Sequence, residues 1–419
     1  MMKTLDGALA LARVLSFVFP LSLSIQAPQA LAMDATDVLP AGINSPAFRT
    51  GIVDGVDYRY LSNGSLMSQS DFHSVEFNTQ ALVKIEPRLR ELVTALDQFG
   101  RANLGSALNL GVLRVETHPE IRYFAPLYAF GITDKWTLGV GVPILKYDNR
   151  LSFRQTGSNI EQIRASVGNV SSDLNSAFDQ LSVNLAATAQ THLTSKGYKP
   201  IVDRSETIVG DVQLASLYRF HDSRAWTGLF KTIVTLPTGP GDDPDDLVDL
   251  GLYGQTAVEP QLLANIPVFP WLFLAAKGSV RYAIPDRIVK RVPESSDDSL
   301  PNADRKENVR RQLGLGTSVG LSATAKVYSR VSAGLGFEAS HKSEDHYDGE
   351  RGWDYSLLAR ETETAEGRVR LNLMYSSTEA YLRKESSFPT MVTYEFSDTV
   401  RGMNVERQTI HELAVTLFF

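Results

Sequence analysis

Two stretches of this 419-residue chain hold residue types that could do chemistry. Ser340-His341-Lys342-Ser343-Glu344-Asp345-His346 places hydroxyls, imidazoles and carboxylates side by side. A serine nucleophile needs a base within hydrogen-bond reach. Ser340 and His341 are neighbours, so in a strand they point to opposite faces, and a hydrolase would need a Ser–His approach that these positions do not supply. Gly239-Pro240-Gly241-Asp242-Asp243-Pro244-Asp245-Asp246 gathers four carboxylates, the hard oxygen ligands that Ca²⁺ takes. The spacing is not that of an EF-hand, and a solvated acidic loop accounts for the same residues. No metal site or cofactor is expected from either stretch. A third set of ionisable groups is spread through the chain at strand spacing: Asp211, Arg219, Lys231, Glu259, Lys277, Arg281, Glu338, Arg368 and Arg370. What these groups can do depends on the elements that carry them.

The element type shows at the end of the chain. In His411-Glu412-Leu413-Ala414-Val415-Thr416-Leu417-Phe418-Phe419, the residues Leu413, Val415, Leu417 and Phe419 fall on one side of a strand, and Glu412, Ala414, Thr416 and Phe418 on the other. Alternation recurs from about residue 105 onward, most clearly at 313–327, where Leu315, Val319 and Leu321 oppose Ser318, Gly320 and Ser322. Expected strands are 107–117, 121–133, 136–144, 208–221, 224–237, 249–264, 271–285, 311–327, 330–341, 366–376, 379–397 and 405–419. Short connections at Asp134, Asp222-Ser223, Asn265–Pro270, Tyr328-Ser329 and Ser376-Ser377-Thr378 alternate with long ones at 151–207, 238–248, 286–309, 342–365 and 398–404. Segregation of loop length to one end is a property of outer-membrane barrels. The expected fold is all-β: a transmembrane antiparallel up-and-down β-barrel of about 12 strands, or 14 if a hairpin within 52–77 joins it. Trp136, Trp226, Trp271, Tyr328 and Tyr375, next to the short turns, would form the periplasmic aromatic girdle. With the apolar face turned to lipid, the third set of charges faces inward, as either the charge ladder of a pore or a static network. Unpaired buried charge is costly, so these groups must pair or line water.

The N-terminus predicts export. Lys3 and Arg13 precede an apolar run, Val14 to Ile25, and Ala30-Leu31-Ala32 has the small-x-small pattern of a cleavage site, giving a signal peptide over 1–32. Residues 33–104 read as an N-terminal plug or periplasmic-mouth segment ahead of a barrel over 105–419. Within it Pro87 opens an amphipathic helix whose Leu89, Leu92, Val93 and Leu96 recur at helical spacing, with Gly100 as its stop. The long connection 151–207 is expected to be a helical extracellular loop. Ser172-Asp173 can cap a helix with an apolar stripe of Leu174, Phe178, Leu181 and Leu185, which lids the barrel mouth, lines a groove for an amphipathic ligand, or packs on neighbouring loops.

Composition agrees with a strand-crossing chain. Mean hydropathy is slightly negative and 43% of residues are apolar. After the N-terminus no run approaches the roughly 20 apolar residues of a spanning helix. Cys is absent, which removes disulfides and thiolate metal sites. A net charge of −7 gives no basic surface for nucleic acid.

The terminal strand resembles the C-terminal signature of bacterial outer-membrane β-barrel proteins. That resemblance implies that Phe419, Leu417 and Val415 are read by the barrel-assembly machinery, and that outer-membrane lipids surround the protein. Signal peptide, plug-like segment, helical loop and Phe-ended strand together resemble the long-chain fatty-acid and hydrophobic-compound channel family of Gram-negative outer membranes. An overlapping resemblance, to proteins of the phenol-degradation meta-pathway type, rests on three sets of residues. These are Tyr128-Ala129-Phe130-Gly131-Ile132-Thr133-Asp134-Lys135-Trp136 leading into Val142-Pro143, Val209-Gly210-Asp211-Val212, and Leu236-Pro237-Thr238-Gly239. The resemblance implies uptake of hydrophobic small molecules, fatty-acid-like or aromatic, with lateral release into the membrane in the fatty-acid channels. The hatch residues of those channels have no recognisable counterpart at Met33-Asp34-Ala35. Two other functions stay open at this point: a non-conducting structural or surface-interaction barrel, and a lipid hydrolase at the barrel rim.

Overall fold

The structure is a computed structural model, and it describes residues 34, 36–72, 74–80, 83, 89–99, 103–167, 185–250, 254–296, 298 and 300–419. The expected signal peptide, 1–32, lies outside the described residues. Twelve strands form the barrel. They are β1 (Asn44–Asp54), β2 (Asn109–Thr133), β3 (Trp136–Gly141, resuming after Val142-Pro143 as Ile144–Thr156), β4 (Arg204–Val209, resuming after Gly210-Asp211 as Val212–Asp222), β5 (Thr227–Leu236) and β6 (Ala257–Phe269). The rest are β7 (Leu272–Ala283), β8 (Gly316–Tyr328), β9 (Val331–Lys342), β10 (Thr364–Ser376), β11 (Thr390–Met403) and β12 (Thr409–Leu417). Each pairs antiparallel with the next, and β12 closes on β1 with Glu412 opposite Gly51. At the seam Asn44 and Phe419 exchange backbone hydrogen bonds of 2.6 and 3.0 Å.

Alternation sets the faces of the wall. On β8 the outward Val319 and Leu321 are more than 60% exposed, while the inward Ser322 and Thr324 are buried. The same outward band continues through Phe124 and Tyr128, Leu138 and Val140, Leu262 and Ile266, Phe337, Leu371 and Leu373, and Leu413. Such a surface is stable only against hydrocarbon, so the barrel spans a membrane through its strands. No described helix is long and apolar enough to cross one. Connections at one end are short (134–135, 223–226, 270–271, 329–330), and Trp136, Trp271, Tyr328 and Tyr375 are exposed beside them. This end is the periplasmic one.

The strand count agrees with expectation, but the strands are not all the expected ones. The segments 107–117 and 121–133 are one strand, β2, because Pro119 lies within the ladder opposite Asn149 rather than in a turn. The barrel begins at β1 and not at about 105. Pro46 and Gly51 disguise β1, whose outward face has only two large apolar side chains, Phe48 and Ile52. The region 379–397 is not strand throughout. Thr378–Leu382 is a short helix in a 377–389 connection, and β11 starts at Thr390. The strand expected over 249–264 is displaced, with β6 over Ala257–Phe269.

The longer helices sit at the extracellular end. Helix α1 (Leu89–Phe99) lies in the β1–β2 connection rather than at the periplasmic mouth, because β1 has already carried the chain across the membrane. Helices α2 (Ile160–Val167) and α3 (Leu185–Ser195) lie in the β3–β4 connection. Their buried Leu96, Ile163 and Leu193 join Val53, Leu113, Ile121, Leu145, Tyr147 and Ile208 from β1–β4 in one apolar cluster. Val93 is half-buried, and nothing is described of the side chains of Leu89 and Leu92. Of the predicted lid stripe, Leu174, Phe178 and Leu181 lie outside the described residues; Leu185 opens α3, but its side chain is not described. A three-stranded sheet of Asp286–Arg291, Lys306–Gln312 and His346–Asp348 covers the other side of the mouth.

Candidate functional site: a charged lumen

The inward face of β7–β12 is built from charged residues at strand spacing, and the structure shows how each is held. Lys277 of β7 donates to Glu338 of β9 at 2.8 Å. Arg370 of β10 bonds Glu395 of β11 at 3.0 Å and lies 3.5 Å from Glu338. Arg368 pairs with Glu366 (2.7 Å), Arg281 with Glu259 (3.6 Å), Arg49 with Glu412 (3.6 Å) and Lys342 with Asp345. Charges removed from water need such partners, because an uncompensated one costs several kcal/mol. Tyr123 of β2 crosses β1 to donate to Glu412 of β12 at 2.6 Å. Gly51, opposite both, makes room: a Cβ there would lie 2.5 Å from the Tyr123 ring.

Asp34, far from any strand, enters this network. Its carboxylate accepts from Arg370 at 3.1 Å and lies 3.8 Å from Lys277, with only 2% of the residue exposed. From there the chain descends along the inner face of the opposite wall. Thr36 bonds Thr227 of β5, Val38 packs on Leu217, Leu229 and Leu263, and the Leu39 N–H donates to Thr137 at 2.8 Å. The Ala41 N–H donates to Asp134 in the β2–β3 turn at 3.0 Å. At the periplasmic mouth Gly131 admits this segment; a Cβ there would lie 2.0 Å from the Pro40 carbonyl oxygen.

Beside the segment a cavity of about 380 Å³ remains. Its lining runs from Leu313, Lys342 and Thr364 at the extracellular ends of the strands to Met374, Met391 and Thr416 near the periplasmic ends. Of the nine charged positions singled out from sequence, Asp211, Glu259, Arg281, Glu338, Arg368 and Arg370 line it. Lys277 is buried in the pairs just described. Arg219 sits toward the periplasmic mouth, donating to the Asp134 carbonyl at 3.0 Å. Lys231 is 2% exposed, with its charge among Lys277, Arg49, Glu259 and Asp34. Asp34, Arg49, Tyr123 and Glu395 did not emerge from sequence. Glu395 alternates with Thr393 and Ser397 and was findable from β11; Arg49 was hidden with β1.

The stretches that carry the phenol-pathway resemblance meet at one point of the wall, where β3 and β4 are interrupted. Gly210 N–H donates to Pro143 O, Val212 N–H to Thr238 Oγ1, and Gly239 N–H to Asp211 Oδ1, each at 2.8 Å. Above this junction Arg204–Val209 has a strand partner on one edge only among the described residues. The acidic loop closes the other edge. Asp246 pairs with Arg204, and Asp243 with Lys199 at 2.7 Å. On the far side Asp242 pairs with Lys290, and Asp245 with Lys306 and, at 2.7 Å, Arg291. Each of the four carboxylates thereby has a Lys or Arg partner, three of them while still partly exposed. His341 engages Glu363 (3.0 Å), and among the described residues no hydrogen bond joins it to Ser340.

A closed antiparallel barrel of even strand number, with a lipid-facing apolar band and a polar interior, is an outer-membrane β-barrel of the Gram-negative type. No family model matches the sequence, and no curated protein matches it. Among solved structures, the chain is similar in fold to the COG4313 outer membrane channel from Pseudomonas putida F1. The TM-score is 0.52 at 13% identity, covering 93% of this chain and 100% of that one. A FadL homologue from Pseudomonas aeruginosa aligns over 100% of this chain and 99% of its own, at 10% identity and a TM-score of 0.34. The toluene transporter TodX from Pseudomonas putida aligns over 99% and 98%, at 11% identity and 0.31.

Proposed function

We propose that the protein is an outer-membrane channel for hydrophobic or amphipathic small molecules, with the N-terminal segment as its plug. The observation that carries this reading is the cavity, which follows the β7–β12 wall for most of its height while residues 34 and 36–41 lie along the opposite side. A barrel with a purely structural role has no need of such a path. Asp34 acts as the latch, because it ties the segment to Arg370 of the cavity wall and to Lys277 behind it. Residues Phe419, Leu417 and Val415, on the outward side of the closing strand, serve assembly. The test is single-channel conductance of the mature chain in a planar bilayer against a variant lacking residues 33–41. Deleting 33–104 would remove β1 and with it the barrel closure. Higher conductance after the short deletion supports a plugged channel. Silence in both proteins overturns it in favour of a non-conducting barrel.

A further inference from the structure

The cavity has a charge balance that bears on what it admits. Seven carboxylates line it against five Lys and Arg side chains. Each of the five cations is already held by a carboxylate, as described above. Of the two acids left over, Asp211 accepts only the Gly239 N–H, while Glu406 lies buried opposite Arg59, where burial favours its neutral form. Lys231 does not offset them, since its side chain is shut off from the cavity. On the same wall Asn372, more than nine-tenths buried, has a side-chain oxygen without a hydrogen-bond partner, next to the apolar Met374 and Met391. A carboxylate entering this space finds the lining cations already engaged and is repelled by Asp211. A hydroxyl or an ammonium finds acceptors.

We infer that the lumen takes hydrophobic compounds whose polar end is a neutral hydroxyl or an ammonium and turns carboxylates away. This rests on the channel reading and narrows its substrate class. Like charge brought into a low-dielectric passage raises the barrier directly, and one sign of lining charge changes local ion concentration by tenfold or more. The pairs do not swing freely to greet a carboxylate, since each cation would have to leave a half-buried carboxylate partner behind.

The test compares three probes with one skeleton: benzylamine, benzyl alcohol and benzoate. Their entry is measured at neutral pH into porin-deficient Gram-negative cells producing the full chain, above the rate in cells without it. Benzylamine and benzyl alcohol should enter about fivefold faster than benzoate. Glu366→Gln, which releases Arg368 while keeping the side-chain shape, should at least halve that gap. Glu259→Gln, which releases Arg281, is the second variant should the first fail to assemble, and heat-modifiable gel mobility reports assembly. Benzoate entering as fast as the other two overturns the inference alone. Absence of protein-dependent entry for all three overturns the channel reading and this inference with it.

Discussion

Two walls of one barrel solve the same problem in opposite ways. Along β7–β12 the inward positions include Lys, Arg, Glu and Asn among Ser and Thr, and beside them lies a cavity. Along the extracellular half of β1–β4 the inward positions include Val53, Leu113, Val115, Ile121 and Ile208, and there the lumen is filled by α1, α2 and α3. An apolar inner wall cannot be left to water, so it recruits helices from the loops. At about 25 cal/mol per Å² of apolar area, covering such a wall outweighs leaving it wet. A charged wall can stay beside an open space, provided that its charges neutralise one another. The lesson is that the sign of the inward face decides whether a segment of barrel becomes a path or a core.

The sharpest way to break this contrast is to remove the hub of the charged wall. Arg370→Met leaves Asp34, Glu338 and Glu395 facing one another without their shared cation. Stripping one partner from a buried ionic cluster costs about 3–5 kcal/mol. Urea unfolding followed by heat-modifiable mobility should show that loss, and the conductance should rise as Asp34 is released. An unchanged midpoint would mean that the charged wall is solvated throughout and needs no pairing.

The apolar wall should respond differently. Leu193 of α3 is wholly buried in its cluster. Leu193→Ala should cost about 2–5 kcal/mol through lost burial and the cavity left behind. Limited proteolysis should then cut the β3–β4 connection faster, while single-channel conductance stays at its wild-type value. A change in conductance equal to that of Arg370→Met would erase the distinction between path and core.

What was legible in the sequence follows the same division. β8 and β9 could be read outright, because Leu, Val and Phe alternate there with Gly and Ser, and a polar lumen beside lipid leaves a period of two. Glu338, Arg368 and Arg370 followed from that alternation. β1 could not be read so, since a proline, a glycine and few large apolar side chains mask its period. Nor could the Asp34–Arg370 pair, whose members lie 336 positions apart with no pattern to join them. The acidic loop was visible as four aspartates, but not its cations, which come from Lys199, Arg204, Lys290, Arg291 and Lys306 on separate elements. Composition announces a charge; only the fold says what neutralises it.

The acidic loop also yields the smallest effect, one that sets extracellular ion pairs beside those of the lumen. Burial pushes Asp243 and Asp245 up, but hydrogen bonds from Lys199 to the first, and from Lys306 and Arg291 to the second, outweigh it and hold both below the usual carboxylate range. Asp249 goes the other way, pushed up to about 6 by burial and by the nearby Asp242 and Asp246, against the pull of the Asp243 N–H. An acid whose folded pKa is raised penalises the fold above that pKa, and the penalty is relieved as pH falls through about 6. Acids with depressed pKa stabilise the fold above their unfolded value, near 3.9, and lose this as pH falls below it. The loop should therefore hold most tightly between about pH 4 and 6. The chain has no cysteine, and a Cβ at Gly241 would meet nothing within 4 Å, so Gly241→Cys gives a single site for a spin label. Label mobility should fall from pH 7 to about 5 and rise again below about 4. In Asp249→Asn the first change should vanish and the second remain. A flat profile in the parent would mean that these pairs, unlike those of the lumen, are too well solvated to hold the loop.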